Sequence, residues 1–101
     1  MLSVLCLDAQ NQPIAFNVVS VGSLNTTRTH PVDILKPVIL SNALGVILVH
    51  NHPSGVSDPS EEDIEFTRGI QRACEVMGVD LYDHLILGER GFTSLRERGV
   101  L

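Results

Sequence analysis

Apolar positions along the chain switch between a period of two and a period near 3.6, and each switch marks the boundary of an element. Val4 to Leu7 is a short apolar run, Asp8 to Pro13 carries turn chemistry, and Ile14 to Val21 is β-branched and apolar, which together predict a hairpin. Asn25 to His30 is polar and loop-like, and a histidine there reads as a loop residue rather than a ligand. Pro31 suits a first helical position, and Val32, Leu35, Val38, Ile39 and Ala43 then repeat at helical spacing. Pro37 breaks that pattern and predicts either a kink or a turn followed by a helix from about Pro37 to Asn42. Leu44 to Val49 is a continuous apolar run, the pattern of a central strand covered on both faces.

The second half is punctuated more sharply. Pro59 stops any earlier helix, Ser60 is a good N-cap, and Glu61, Glu62 and Asp63 put negative charge in the first turn, where the helix dipole favours it. The helix so opened runs to about Met77 and meets Gly78, a suitable C-terminal glycine. Asp63 falls on one stripe with Phe66, Thr67, Ile70, Cys74 and Met77 and so heads the buried face. Val79 to Leu87 predicts a further strand, Glu89 to Gly91 a tight turn, Phe92 to Leu95 a short strand, and Arg96 to Leu101 one frayed helical turn. This order predicts an α/β (α+β) fold, a mixed β-sheet flanked by helices, with residues 1–101 as a single domain. An apolar strand starting so soon after Met1 suggests that more protein precedes it.

Composition narrows the partners. At 44% hydrophobic and 19% charged the chain is ordinary for a soluble globular protein, and no apolar run approaches a membrane span. Cys6 and Cys74 lie within apolar patterns without paired spacing, which predicts buried reduced thiols and a cytoplasmic location. Net charge is -5 and the seven basic residues are scattered, with only Arg96 and Arg98 close together and Glu97 between them. DNA binding depends on a clustered positive face, so DNA binding by this domain alone is not supported.

The residues with chemistry concentrate in Val49 to Asp63, VHNHPSGVSDPSEED. If Ile47 to His52 ends a strand, His50 and His52 point to the same face. A carboxylate heading the buried face of the next helix needs a partner, and two imidazoles plus one carboxylate with a position left open form a catalytic zinc set that activates a bound water. Plainer readings stand beside it. Ser60 and Asp63 also fit a variant of the capping box, and a histidine at the end of an apolar strand also fits a satisfied core residue.

The spacing of His50, His52, Ser60 and Asp63, HxH followed by seven residues, Ser, two residues and Asp, resembles the JAMM metalloprotease motif of JAB/MPN domains. HNHPSG followed by PSEED, with DHLILG at Asp83 to Gly88, resembles the RadC-like branch, and the resemblance covers about Leu5 to Leu101. It implies the JAB/MPN fold, similar to cytidine deaminase architecture, and one Zn2+ per chain held by His50, His52 and Asp63. It implies that Ser60 helps to position or stabilise an oxyanion, a use competing with its cap role for one hydroxyl. The family also supplies an upstream glutamate as general base. No glutamate precedes Glu61 here, and by register against Gly22 that acid falls at Asn17 or Val18. Asparagine cannot take the proton, and Asp8 substitutes only if the hairpin folds it inward.

Matching DHxxxG implies a supporting role for Asp83 and His84, such as a hydrogen bond to a ligand. Strand alternation puts Asp83 with Leu81, Leu85 and Leu87, and His84 with Tyr82 and Ile86. The turn at Pro53, Ser54 and Gly55 can bring backbone N–H groups near a substrate. The resulting expectation is a zinc-dependent hydrolase of an amide, peptide or isopeptide bond, with a peptide or protein as substrate or partner. The alternative is a catalytically impaired zinc-binding interaction module, and the family's traditional label adds DNA repair.

Overall fold

In the computed structural model, residues 1–20, 30–52 and 55–101 are described. The expected loop at Asn25 to Thr29, the strand end at Val21, the register point Gly22, and Pro53 and Ser54 of the glycine turn lie outside them. Seven elements follow in order: β1 (Leu2–Leu7), β2 (Pro13–Ser20), α1 (Pro31–Leu40), β3 (Gly45–Asn51), α2 (Glu61–Met77), β4 (Asp80–Gly88) and β5 (Gly91–Ser94). The strands form one mixed sheet in the order β2-β1-β3-β4-β5, antiparallel except for the β3–β4 pair. A parallel pair needs a crossover, and α2 supplies it.

Both helices lie on one face of this sheet. Leu2, Val4 and Cys6 of β1, Val46 and Leu48 of β3, and Leu81 of β4 form one cluster with Ile34 and Val38 of α1 and Phe66, Ile70 and Cys74 of α2. Cys6 and Cys74 are free and buried, as their apolar settings predict. The expectation that β3 is central holds, but its cover is one-sided. Val46, Leu48 and His50 are buried against the helices, whereas Ile47 and Val49 are half-buried on the other face. On that open face β2 exposes Ile14, Phe16 and Val18, and β5 exposes Phe92.

Two local features depart from the periodicity. Helix α1 runs through Pro37 without splitting. Ile34 and Val38 are buried against the sheet, and that packing outweighs the backbone bond that proline removes. Val32 and Ile39, expected inward, are exposed instead, and the helix stops where Ser41 Oγ donates to the Pro37 carbonyl at 2.7 Å. In β4, the register slips between Val46 and Ile47 so that Leu81 pairs with Val46 but Asp83 pairs with Ile47. This bulge at Tyr82 corrects the expected faces: Leu81, His84 and Ile86 face the helices, while Asp83, Leu85 and Leu87 face away. Tyr82 lies across Gly45, where an added Cβ would collide with its ring, and its hydroxyl donates to Asn11 Oδ1 at 2.8 Å.

Helix α2 matches its expected limits. Ser60 is its N-cap and Gly78 its left-handed C-cap, with φ 75°. Asp63, Phe66, Thr67, Ile70 and Cys74 are buried as the stripe predicts, and Met77, at 36% exposure, falls off its end. The last residues are turns rather than a helix, held by bonds such as Arg98 N–H to the Ser94 carbonyl at 3.1 Å.

Candidate metal centre

Strand β3 delivers His50 into the core at 1% exposure, and His52 follows just past the strand end. Their rings meet edge to face, with centroids 5.0 Å apart. Helix α2 brings the carboxylate. Asp63 N–H donates to Ser60 Oγ at 3.0 Å, and Ser60 N–H donates to Asp63 Oδ2 at 2.8 Å, so the capping box fixes the rotamer that turns Asp63 toward the histidines. Asp63 Oδ2 lies 2.8 Å from His52 Nε2, and Oδ1 lies 3.7 Å from His50 Nδ1. One candidate atom from each of the three residues lies within 4.8 Å of the others, a group able to hold a metal ion. Cap and ligand are therefore compatible uses of Asp63.

The donor chemistry fits a cation. His52 Nδ1 is 2.7 Å from the Val56 carbonyl, an acceptor, so this nitrogen carries a proton. In the neutral ring Nε2 is then a bare lone pair, yet it faces a carboxylate oxygen at 2.8 Å. Two lone pairs approach so closely only with a proton or a metal ion between them. Donors on one tetrahedral zinc, each at about 2.0–2.2 Å, stand about 3.4 Å apart. The contacts of 2.8 and 3.7 Å bracket that value. Among the described residues neither ring nitrogen of His50, both buried, has a hydrogen-bond partner, the condition of a side chain built to meet something else.

Electrostatics favours the ligating forms of His50 and Asp63. Burial pushes the His50 imidazole below its ordinary value, and His52 adds to this, although Asp63 opposes it. For Asp63, burial works to raise the pKa, but the Ser60 amide, the His52 ring and the Ser60 hydroxyl together hold it below the usual carboxylate range. A neutral imidazole and an ionised carboxylate are the forms a metal needs.

Ser60 is exposed at the rim. Its cap bond uses a lone pair on Oγ and leaves the hydroxyl proton free, so the two uses expected to compete draw on different parts of the group. Asn17 pairs with Val4, which pairs with Leu48, so Asn17 lies on the same sheet face as His50. Two strands and two residues separate them, on the order of 12 Å of backbone. Asp8 does not fold inward. It accepts from Gln10 N–H and Gln12 N–H, each at 2.9 Å, at the far end of β1 from Leu2, the residue paired with His50. Gly55 sits in the expected turn at φ 76°, but its N–H donates to the His52 carbonyl at 3.0 Å and is not turned to a substrate. Its carbonyl accepts from Glu89 N–H at 2.8 Å.

His84, fully buried, stands beside His50 with ring centroids 5.9 Å apart. Asp83 is aimed elsewhere: its carboxylate accepts from Ser94 Oγ at 2.5 Å and from the amides of His84 and Arg96 at 2.7 and 3.1 Å. It ties β5 and the following turn to β4. Sequence reasoning missed two parts, the Val56 carbonyl that sets the His52 tautomer and Thr67, which contacts both Asp63 and His84. A polar residue on a buried stripe, one turn after the ligand, was the available signal for Thr67.

The family model described as RadC-like JAB domain matches residues 1–100. The chain is 45% identical over 100 residues to a UPF0758 protein of Aquifex aeolicus, covering 99% of this chain and 43% of that protein. It is 47% identical over 98 residues to a UPF0758 protein of Symbiobacterium thermophilum, covering 97% and 42%. A UPF0758 protein of Thermotoga maritima is 44% identical over 101 residues, covering 100% and 46%. The chain thus spans less than half the length of these curated relatives.

Proposed function

Because the chain belongs to the RadC-like JAB domain family, we propose that it is a zinc-dependent hydrolase that cleaves an amide, peptide or isopeptide bond in a peptide or protein substrate. The observation carrying this reading is the convergence of His50, His52 and Asp63, with His52 Nε2 only 2.8 Å from Asp63 Oδ2 while Val56 occupies Nδ1, a contact that takes a proton or a metal ion between its two atoms. His50, His52 and Asp63 are the ligands in this reading, and they leave the fourth position of a tetrahedral ion open. When bound, zinc acts as a Lewis acid and lowers the pKa of a water to about 7. The Ser60 hydroxyl, at the rim with its proton uncommitted, donates toward the oxyanion that develops on the attacked carbonyl.

Purification without added metal, followed by metal analysis, tests the ligand set. The parent is expected to carry about one zinc per chain, and His52→Ala and Asp63→Ala to carry none. A parent that takes up no zinc even when it is supplied would end the hydrolase reading.

A second reading is favoured by Asn17. The position lies on the ligands' face of the sheet, yet it holds an amide where the resemblance expects an acid. On this reading the domain binds zinc and a peptide or partner protein but turns over slowly or not at all. Asn17→Glu discriminates. Restoring a general base is expected to raise peptide hydrolysis by about 10²- to 10⁴-fold if only the base is lacking. An unchanged, negligible rate in a variant that still binds zinc would favour the interaction module.

A further inference from the structure

Three buried ring nitrogens in one small region have no hydrogen-bond partner among the described residues: His50 Nδ1, His50 Nε2 and His84 Nε2. Unpaired buried polar atoms are costly, so three together require an account. The protons can be placed. Thr67 Oγ1 lies 2.7 Å from the Asp63 carbonyl and 2.6 Å from His84 Nδ1. Threonine has one hydroxyl proton, and the carbonyl can only accept. Both contacts are hydrogen bonds only if Thr67 donates to Asp63 and His84 Nδ1–H donates to Thr67. His84 Nε2 is then a bare acceptor, sealed in the core beside His50.

His50 has the complementary need. A neutral imidazole offers one lone pair and one N–H. If the metal takes the lone pair, the N–H still requires an acceptor inside the core. His50 and His84 sit on adjacent strands on the same face, with Leu48 opposite His84 and Ile86 opposite His50, so the two rings are diagonal neighbours. Their rings are tilted by 40° with centroids 5.9 Å apart, a separation from which a shift of the rings brings one nitrogen of each into hydrogen-bond reach.

We propose that His84 is a positioning residue for the metal centre, its Nε2 accepting the N–H of His50 when His50 ligates the ion. This rests on the metal-site reading above. It closes a circuit from the backbone of one ligand, Asp63, through the Thr67 hydroxyl and the His84 ring to a second ligand, His50. All three orphan nitrogens are then satisfied, one by the metal and two by each other. A ligand histidine whose second nitrogen is held in this way has a fixed tautomer and a more basic donor.

The test pairs zinc affinity, measured against a competing chelator, with nitrogen-15 spectra of the imidazoles in the zinc-loaded parent. The spectra are expected to show His84 protonated on Nδ1 and bare on Nε2, and a His50 N–H protected from solvent exchange. His84→Phe is expected to weaken zinc binding by about 10- to 100-fold, and Thr67→Val, which keeps the packing but removes the hydroxyl, to weaken it less. His84→Gln, which returns an acceptor near the Nε2 position, is expected to recover part of the loss. A His84 ring carrying its proton on Nε2 in the parent overturns the proposal without recourse to any variant. So does a folded His84→Phe that binds zinc as the parent does, and in both cases the three-ligand reading stands. A parent that binds no zinc overturns both.

Discussion

Burial, with His50 beside it, pushes the His84 imidazole down to about 4, against the pull of Asp63 and Asp83. In the unfolded chain the same ring titrates near 6.5. Between those values the unfolded state binds a proton that the folded state refuses, so the stability this histidine supplies is complete above about 6.5 and is lost as the pH falls toward 4. The amount is on the order of 3 kcal/mol. Urea unfolding of the metal-free protein is expected to show lower stability at pH 5 than at pH 7, with a smaller difference in His84→Phe; equal slopes in both proteins would contradict the assignment. At this scale the sequence was legible where a residue's role follows from its own position. The convergence of His50, His52 and Asp63 into a group that could hold a metal ion could be read because a two-residue spacing and a capped helix start each fix a direction. The partners that set tautomers could not, because Val56 contributes a backbone carbonyl and Thr67 meets His84 only after β4 has been laid beside β3.

The described part of the connection from β3 to α2, His52 and residues 55–60, is braced from outside the candidate site. His52 N–H donates to the Leu87 carbonyl at 3.2 Å, and Thr93 Oγ1 donates to Ser57 Oγ at 3.2 Å. Gly88 lies directly beneath: a Cβ there would come within 2.7 Å of the Gly55 carbonyl and 2.9 Å of the Ser57 amide, both backbone. Gly88→Ala is therefore expected to push this connection outward, lowering zinc affinity by about 10-fold or more while α2 and the core remain folded. Circular dichroism together with zinc titration checks it, and normal affinity would show that the connection yields without moving His52. The limits of α2 were readable because Ser60 and Gly78 act locally. The bulge at Tyr82 was not, since strict alternation assumes an unbroken ladder, and one extra residue reverses the facing of everything beyond it.

Across the whole molecule the sheet has one covered and one open face, and substitutions should divide accordingly. Leu48→Ala, on the covered face with no exposure, is expected to cost about 2–5 kcal/mol. Phe16→Ser, on the open face at 59% exposure, is expected to change stability by only about 0.5 kcal/mol, and denaturant melts of the two variants compare them. Neither of the neighbouring arginines, Arg96 and Arg98, forms a free basic patch: Arg96 donates to the Leu81 and Tyr82 carbonyls, and Arg98 pairs with Asp58. The parallel pairing of β3 with β4 has a further consequence. His50, His52, Asp63, Thr67 and His84 all lie between Gly45 and Gly88, within one strand–helix–strand crossover. The outer hairpin supplies none of them. Amide protons of β3, α2 and β4 should therefore slow their exchange with solvent deuterium when zinc is added, while those of β2 continue to open at their own rate, so that the domain behaves as a metal-locked cooperative unit with an independently fraying edge.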